Sequence, residues 1–131
     1  MDLYQENILD HGQNPRNFGP LLDPADIEFE DDNPLCGDHL HLTARLDETG
    51  RVVAIAWEGD GCTISQASAS MLGEEMLGKT LDELRNFNRE QLLEMLGIPL
   101  SPARLKCALL SLKVLKAAAY GVEHWGDDDE D

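Results

Sequence analysis

The sequence predicts an α+β fold, a small three-stranded antiparallel sheet packed against about five helices. Three observations carry that expectation. Apolar and polar residues alternate with a period of two in the first half of the chain, most clearly in HLHLTARLD and RVVAIAWEG. Helical spacing and helix-capping residues dominate the second half. The strands do not alternate with helices, as βαβ units would require. A length of 131 residues suits one domain that buries a core without staples. Residues 1–121 are expected to form that domain and residues 122–131 an acidic, disordered tail.

The elements follow in order. DLYQENILDHG places Leu3, Tyr4, Ile8 and Leu9 at helical spacing, so residues 2–12 read as an amphipathic helix stopped near Gly12. NPRNFGPLLDPAD, with three prolines, is irregular. IEFED reads as a short strand. The two alternating segments flank Glu48-Thr49-Gly50 and form a hairpin with one buried face. After the GDGC break, TISQASASMLGEEMLG is a helix whose Ala67, Ser68, Ala69 and Ser70 permit close packing. Thr80 caps a short helix LDELRNF and Asn88 caps REQLLEML. Ser101-Pro102 supplies the N-cap and first position of a long helix that ends near Tyr120. On its helical wheel Leu105, Ala108, Leu109, Leu112 and Leu115 form the main apolar face. Cys107 falls on a flank with Leu110 and Val114, a position expected for a thiol at an edge.

Charge narrows the function classes. Ten Lys and Arg against 26 Asp and Glu leave a net charge of −16, five of those charges in the tail Asp127 to Asp131. Such a field opposes binding to nucleic acid or an anionic membrane. No apolar run approaches a membrane span of about 20 residues. The N-terminal MDLYQENILD carries acids where a signal peptide carries bases, so a cytoplasmic location is expected.

Three cysteines, Cys36, Cys62 and Cys107, cannot all pair as disulfides and do not fill a tetrahedral metal site. Strand geometry suggests the missing ligand. If Cys36 to Leu42 is extended, Cys36, Asp38, Leu40 and Leu42 share one face, while His39 and His41 point to the other as ordinary exposed residues. Cys62 precedes a helix start, where unpaired N–H groups favour a thiolate. Arg104 and Lys106 flank Cys107 with positive charge. Three thiolates and a carboxylate match zinc or one end of an iron–sulfur cluster. Small buried hydrophobes are the equally weighted alternative, since no CxxC pair exists.

Four stretches, DHGQNPRNFG, NPLCGD, GDGCTISQASAS and PARLKCALLSLKVL, span residues 4 to about 116 and resemble the IscU/SufU family of iron–sulfur assembly proteins, which includes the N-terminal domain of NifU. The resemblance implies that the three cysteine segments converge, and that Cys36, Asp38, Cys62 and Cys107 form a metal or cluster site. It also implies a pyridoxal-phosphate (PLP) cysteine desulfurase, SufS-like, as persulfide donor, and apo iron–sulfur proteins or a downstream scaffold as recipients.

Two branches of the family differ at the last cysteine. The IscU branch has a histidine immediately before it, preceded by a Leu-Pro-Pro-Val-Lys motif read by an Hsp70-type chaperone. Here Lys106 takes the histidine position and Leu100-Ser101-Pro102-Ala103-Arg104 precedes it, which looks more like SufU, a zinc protein that accepts sulfur. The segment Thr63 to Lys106 is nevertheless short for SufU and closer to IscU in length. The expectation is therefore a zinc-dependent sulfurtransferase in which Cys36 accepts the persulfide, Asp38, Cys62 and Cys107 hold Zn2+, and Arg104 steadies the persulfide. The alternatives are a scaffold on which the same four residues carry a [2Fe–2S] cluster, and a structural zinc module for protein interaction.

Overall fold

The computed structural model describes residues 3–33 and 37–120. Its hairpin joins β2 (Asp38–Leu46) to β3 (Val52–Asp60), and β1 (Ile27–Asn33) pairs with the other edge of β2, so the antiparallel order is β1-β2-β3. The turn is built by Asp47, whose Oδ1 accepts from Thr49 N–H at 2.9 Å, Arg51 N–H at 3.0 Å and the Thr49 hydroxyl at 2.7 Å. Gly50 closes it at φ 88°, a conformation open to glycine without strain. The outer edge of β3 is covered rather than bare. Trp57 N–H donates to Asn17 at 3.0 Å and Gly19 N–H to Trp57 at 2.7 Å, and the Phe18 ring sits edge-on to Trp57.

The described residues hold five helices, α1 (Leu3–Gln13), α2 (Thr63–Met76), α3 (Leu81–Arg85), α4 (Arg89–Leu96) and α5 (Pro102–Tyr120), of which α2 and α5 pack on the sheet. The expected caps are present. Thr80 and Asn88 each close a reciprocal capping box, with Glu83 and Gln91 respectively, and Ser101 Oγ accepts from Arg104 N–H at 3.3 Å. Along β2 the alternation holds: Leu40 and Leu42 are buried while His39 and His41 are half-buried on the opposite face. Leu40, Leu42 and Trp57 of the sheet meet Leu72 and Met76 of α2 and Leu115 of α5. Each such side chain contributes about 1.5–3 kcal/mol by leaving water.

Two sequence expectations need correction. The apolar spacing of α1 does not mark its buried face: Leu3, Tyr4 and Leu9 are exposed, and only Ile8 and His11 are buried. This helix packs along α2 through a narrow seam, and Gly12 lies inside it. A Cβ there would stand 2.8 Å from Thr63 Cγ2, so the glycine allows close approach to α2, and the helix ends one residue on, at Gln13. Cys107, expected at an edge, is 4% exposed, and Leu110 and Val114 are buried with it. The reason is that α5 is contacted by β1, β2, α2 and α3, which enclose its flank as well as its main face.

Candidate metal centre

The hairpin brings the start of β2 and the end of β3 to one end of the sheet, since His39 lies opposite Asp60. Asp38 opens β2, Cys62 follows β3 as the N-cap of α2, and Cys107 stands in the second turn of α5 beneath them. A ligand atom from each of Asp38, Cys62 and Cys107 lies within 4.8 Å of the other two. Helix α5 is held against this end by Lys113 Nζ, 2.8 Å from Asp31 Oδ2 on β1. Cys36 lies outside the described residues, as does the acidic tail from residue 122.

The carboxylate of Asp38 is the informative group. It is 1% exposed, and its Oδ1 accepts from Cys62 N–H at 3.2 Å. No donor among the described residues reaches Oδ2, although that oxygen is fully buried. A buried carboxylate oxygen without a partner carries a desolvation cost that a cation would offset. Two thiols beside it supply soft ligands, and carboxylate plus thiolates is a donor set that zinc accepts at tetrahedral geometry. The residues present therefore fit a metal ion. Gly61 makes room for them: a Cβ at that position would come within 2.5 Å of Asp38 Oδ1 and 2.9 Å of Ser65 Oγ. Sequence reading noted Gly61 only as part of a break; its signal was the Gly-Cys step between a strand and a helix.

Arg104 is exposed and lies one turn before Cys107. With Ile8, Leu9, Thr63, Ile64 and Ile98 it lines an apolar groove of about 440 Å³ beside the start of α2. Lys106 is exposed as well. Both cations are thus exposed outside the centre, Arg104 on the groove beside the start of α2.

A buried polar cluster was not foreseen. His11 Nδ1 lies 2.7 Å from Ser70 Oγ, which also accepts from Arg16 N–H at 2.8 Å, while His11 Nε2 is 3.6 Å from Glu74. Ser70 Oγ thus accepts from Arg16 N–H and shares a second hydrogen bond with His11 Nδ1, its direction following the imidazole tautomer. The order Ser-His-Glu invites a nucleophilic reading, but Ser70 is fully buried and its oxygen is engaged on both sides. The cluster anchors α1 and the irregular segment to α2. Burial pushes His11 below the ordinary imidazole range, the Arg16 charge adding to the effect and Glu74 and Asp10 opposing it.

Fold and centre together describe a small α+β protein with a carboxylate–thiol cluster at one end that fits a metal ion. The NifU-like N terminal domain family matches residues 3–124, and the chain belongs to that family of iron–sulfur cluster assembly proteins, in which the IscU and SufU proteins fall. It is 36% identical to the zinc-dependent sulfurtransferase SufU of Bacillus subtilis, over 87% of this chain and 87% of that protein. It is 32% identical to the iron–sulfur cluster assembly scaffold protein IscU of Azotobacter vinelandii, over 92% and 94%. Among solved structures, a putative iron–sulfur cluster assembly scaffold protein for the SUF system from Fervidobacterium islandicum superposes with a TM-score of 0.73 at 29% identity, covering 87% of this chain and 94% of that one. These likenesses agree with the α+β fold of three strands and five helices.

Proposed function

We propose that this protein accepts sulfur from a PLP-dependent cysteine desulfurase at a zinc centre held by Asp38, Cys62 and Cys107, with Cys36 as acceptor and fourth ligand. The observation that carries the reading is this donor set, in which Asp38 has one oxygen that no donor among the described residues reaches, with two thiols close by. Zinc, when bound there, would supply the Lewis acidity that keeps cysteine thiols deprotonated at neutral pH. The chain's own residues do the rest. The Cys36 thiolate attacks the outer sulfur of the desulfurase persulfide. A new S–S bond forms to Cys36, the donor's S–S bond breaks, and the donor cysteine leaves as a thiolate with the bonding pair. No net oxidation occurs, and the sulfane sulfur now sits on Cys36 for delivery to a downstream scaffold or apoprotein. Arg104, exposed at the groove beside α2, steadies the anionic persulfide from outside the buried centre. Chemistry of this kind needs reduced thiols, and we assign it to the cytoplasm.

Lys106 favours sulfur transfer over cluster scaffolding, because an exposed ammonium next to Cys107 replaces the histidine of the IscU branch. The test is metal analysis of the purified protein together with desulfurase turnover. About one zinc per chain is expected, with stimulated turnover and a persulfide located on Cys36 by mass spectrometry. Stimulation that survives in Cys36→Ala would overturn the acceptor assignment.

The scaffold reading rests on one specific feature, the carboxylate. Asp38 is a hard ligand among soft ones, and a cluster bound partly through oxygen is released more readily. Anaerobic incubation with ferrous iron, cysteine and desulfurase separates the two readings. Stoichiometric cluster chromophore on this protein supports scaffolding; persulfide without chromophore supports transfer.

A further inference from the structure

The alternation that turns Asp38, Leu40 and Leu42 inward sets His39 and His41 on the opposite face of β2, away from the thiol centre. The antiparallel register then places each imidazole between two acids. His41 lies opposite Glu30 on β1 and Glu58 on β3, and His39 lies opposite Asp32 and Asp60. Side-chain geometry is more specific than this ladder. Glu30 Oε2 is 2.9 Å from His39 Nε2, and Glu30 Oε1 is 3.9 Å from His41 Nδ1, so one carboxylate stands between the two rings. The far nitrogen of His41, Nε2, is 2.6 Å from Glu28 Oε2. Over the rings opens a cup of about 340 Å³ lined by Phe18, Glu30, His39, His41, Glu58, Gly59 and Asp60, with no lysine or arginine among them.

We propose that His39, His41 and Glu30 form a second metal site, which takes a divalent first-row transition ion on the outer face of the sheet, with Glu58 completing the ligands and Glu28 positioning His41. Imidazole plus carboxylate is a donor set that such ions, zinc among them, accept. The Glu28–His41 pair is the second feature that points to a ligand. A carboxylate 2.6 Å from Nε2 orients the ring and turns Nδ1 toward Glu30, the arrangement that supports metal-bound histidines. A cation also relieves repulsion among Glu28, Glu30, Glu58 and Asp60, which no cationic side chain in the cup offsets. Two separate surface ion pairs would explain the histidines individually. They do not explain why one carboxylate serves both rings while another holds the remaining nitrogen. The side chains are partly exposed, so small rotations bring the donors to one ion, and the site would exchange its metal readily.

The experiment is zinc titration of the full chain, read by calorimetry and by the imidazole nitrogen resonances. Wild type is expected to bind one equivalent more than the His39→Gln/His41→Gln variant, with the His39 and His41 signals shifting and the His11 signal unmoved. Glu28→Gln should keep the stoichiometry and weaken that equivalent by about 10–100-fold. Both histidines lie outside the core, and circular dichroism confirms that the variants fold. Equal stoichiometry in wild type and the double variant would overturn the proposal, as would zinc binding that leaves both imidazoles unshifted.

Discussion

Asp38 joins sequence, stability and chemistry at a single residue. Its period-2 relation to Leu40 made the inward direction legible, but the lack of a partner for Oδ2 among the described residues was not, because burial is a property of the assembled fold. In the metal-free protein, Asp38→Asn should stabilise the fold by about 1–3 kcal/mol, since a neutral amide is cheaper to bury than a carboxylate. The same variant should bind zinc more weakly, and urea unfolding with and without metal reads both signs. Gly61→Ala tests the space around that carboxylate. Its Cβ would displace Asp38 and Ser65, so zinc affinity measured against a competing chelator should fall at least tenfold, roughly the lower end seen when support of a ligand is lost. His11 gives a pH dependence. With its folded pKa depressed by burial, the unfolded chain takes up the proton more readily. Its contribution is therefore complete above the ordinary value of 6.5 and is lost as pH falls from there through the depressed folded value. Unfolding free energies of wild type should drop over that window more steeply than those of His11→Gln.

At the level of elements, local signals located nearly every helix and strand, while their buried faces depended on neighbours. Asn88, Thr80 and Ser101 announced their helices because a capping side chain acts within one turn. Turn chemistry at Asp47 and Gly50 did the same for the hairpin. The face of α1 was misread because Leu3, Tyr4 and Leu9 satisfy helical spacing without being covered by α2. Cys107 was misread for the opposite reason, as five elements contact α5 where a wheel of one helix shows an open flank. Tyr4 still has work at the junction of α1 and α4. Gly97 ends α4 in the left-handed region at φ 72°, and a Cβ there would overlap the Tyr4 ring. Gly97→Ala combines backbone strain with that clash and should cost about 2–4 kcal/mol in urea unfolding. Adding Tyr4→Ala should recover only the part due to the clash. A double-mutant coupling near zero would show that the ring does not pack on the cap.

For the whole molecule, the question is whether the metal holds the fold or the fold holds the metal. The core runs from Leu84 and Leu92 through Trp57 and Leu115 to Ile64, and of the proposed ligands only Cys107 belongs to it, with Cys62 packed against its edge. Asp38, Cys62 and Cys107 lie at one end of it, each on a different element that is anchored elsewhere: β2 in the ladder, α2 against α1, and α5 against β1 and β2. A structural zinc module lacks such independent anchors, and its binding energy is its folding energy. Removal of zinc by a chelator should accordingly leave the helix and sheet content of this protein intact, as read by far-ultraviolet circular dichroism. Stability should fall only by the linkage amount, about 2.7 kcal/mol for free zinc held at a hundred times its dissociation constant. Loss should concentrate where Cys62 caps α2 and where Asp38 begins β2, so amide exchange should quicken there before it does at Leu42 or Leu112. Collapse of the circular dichroism signal on chelation would mean that the centre is structural. An apo-protein that stays folded but no longer stimulates the desulfurase would place the metal in sulfur transfer, on a scaffold that β-ladder and helix packing maintain without it.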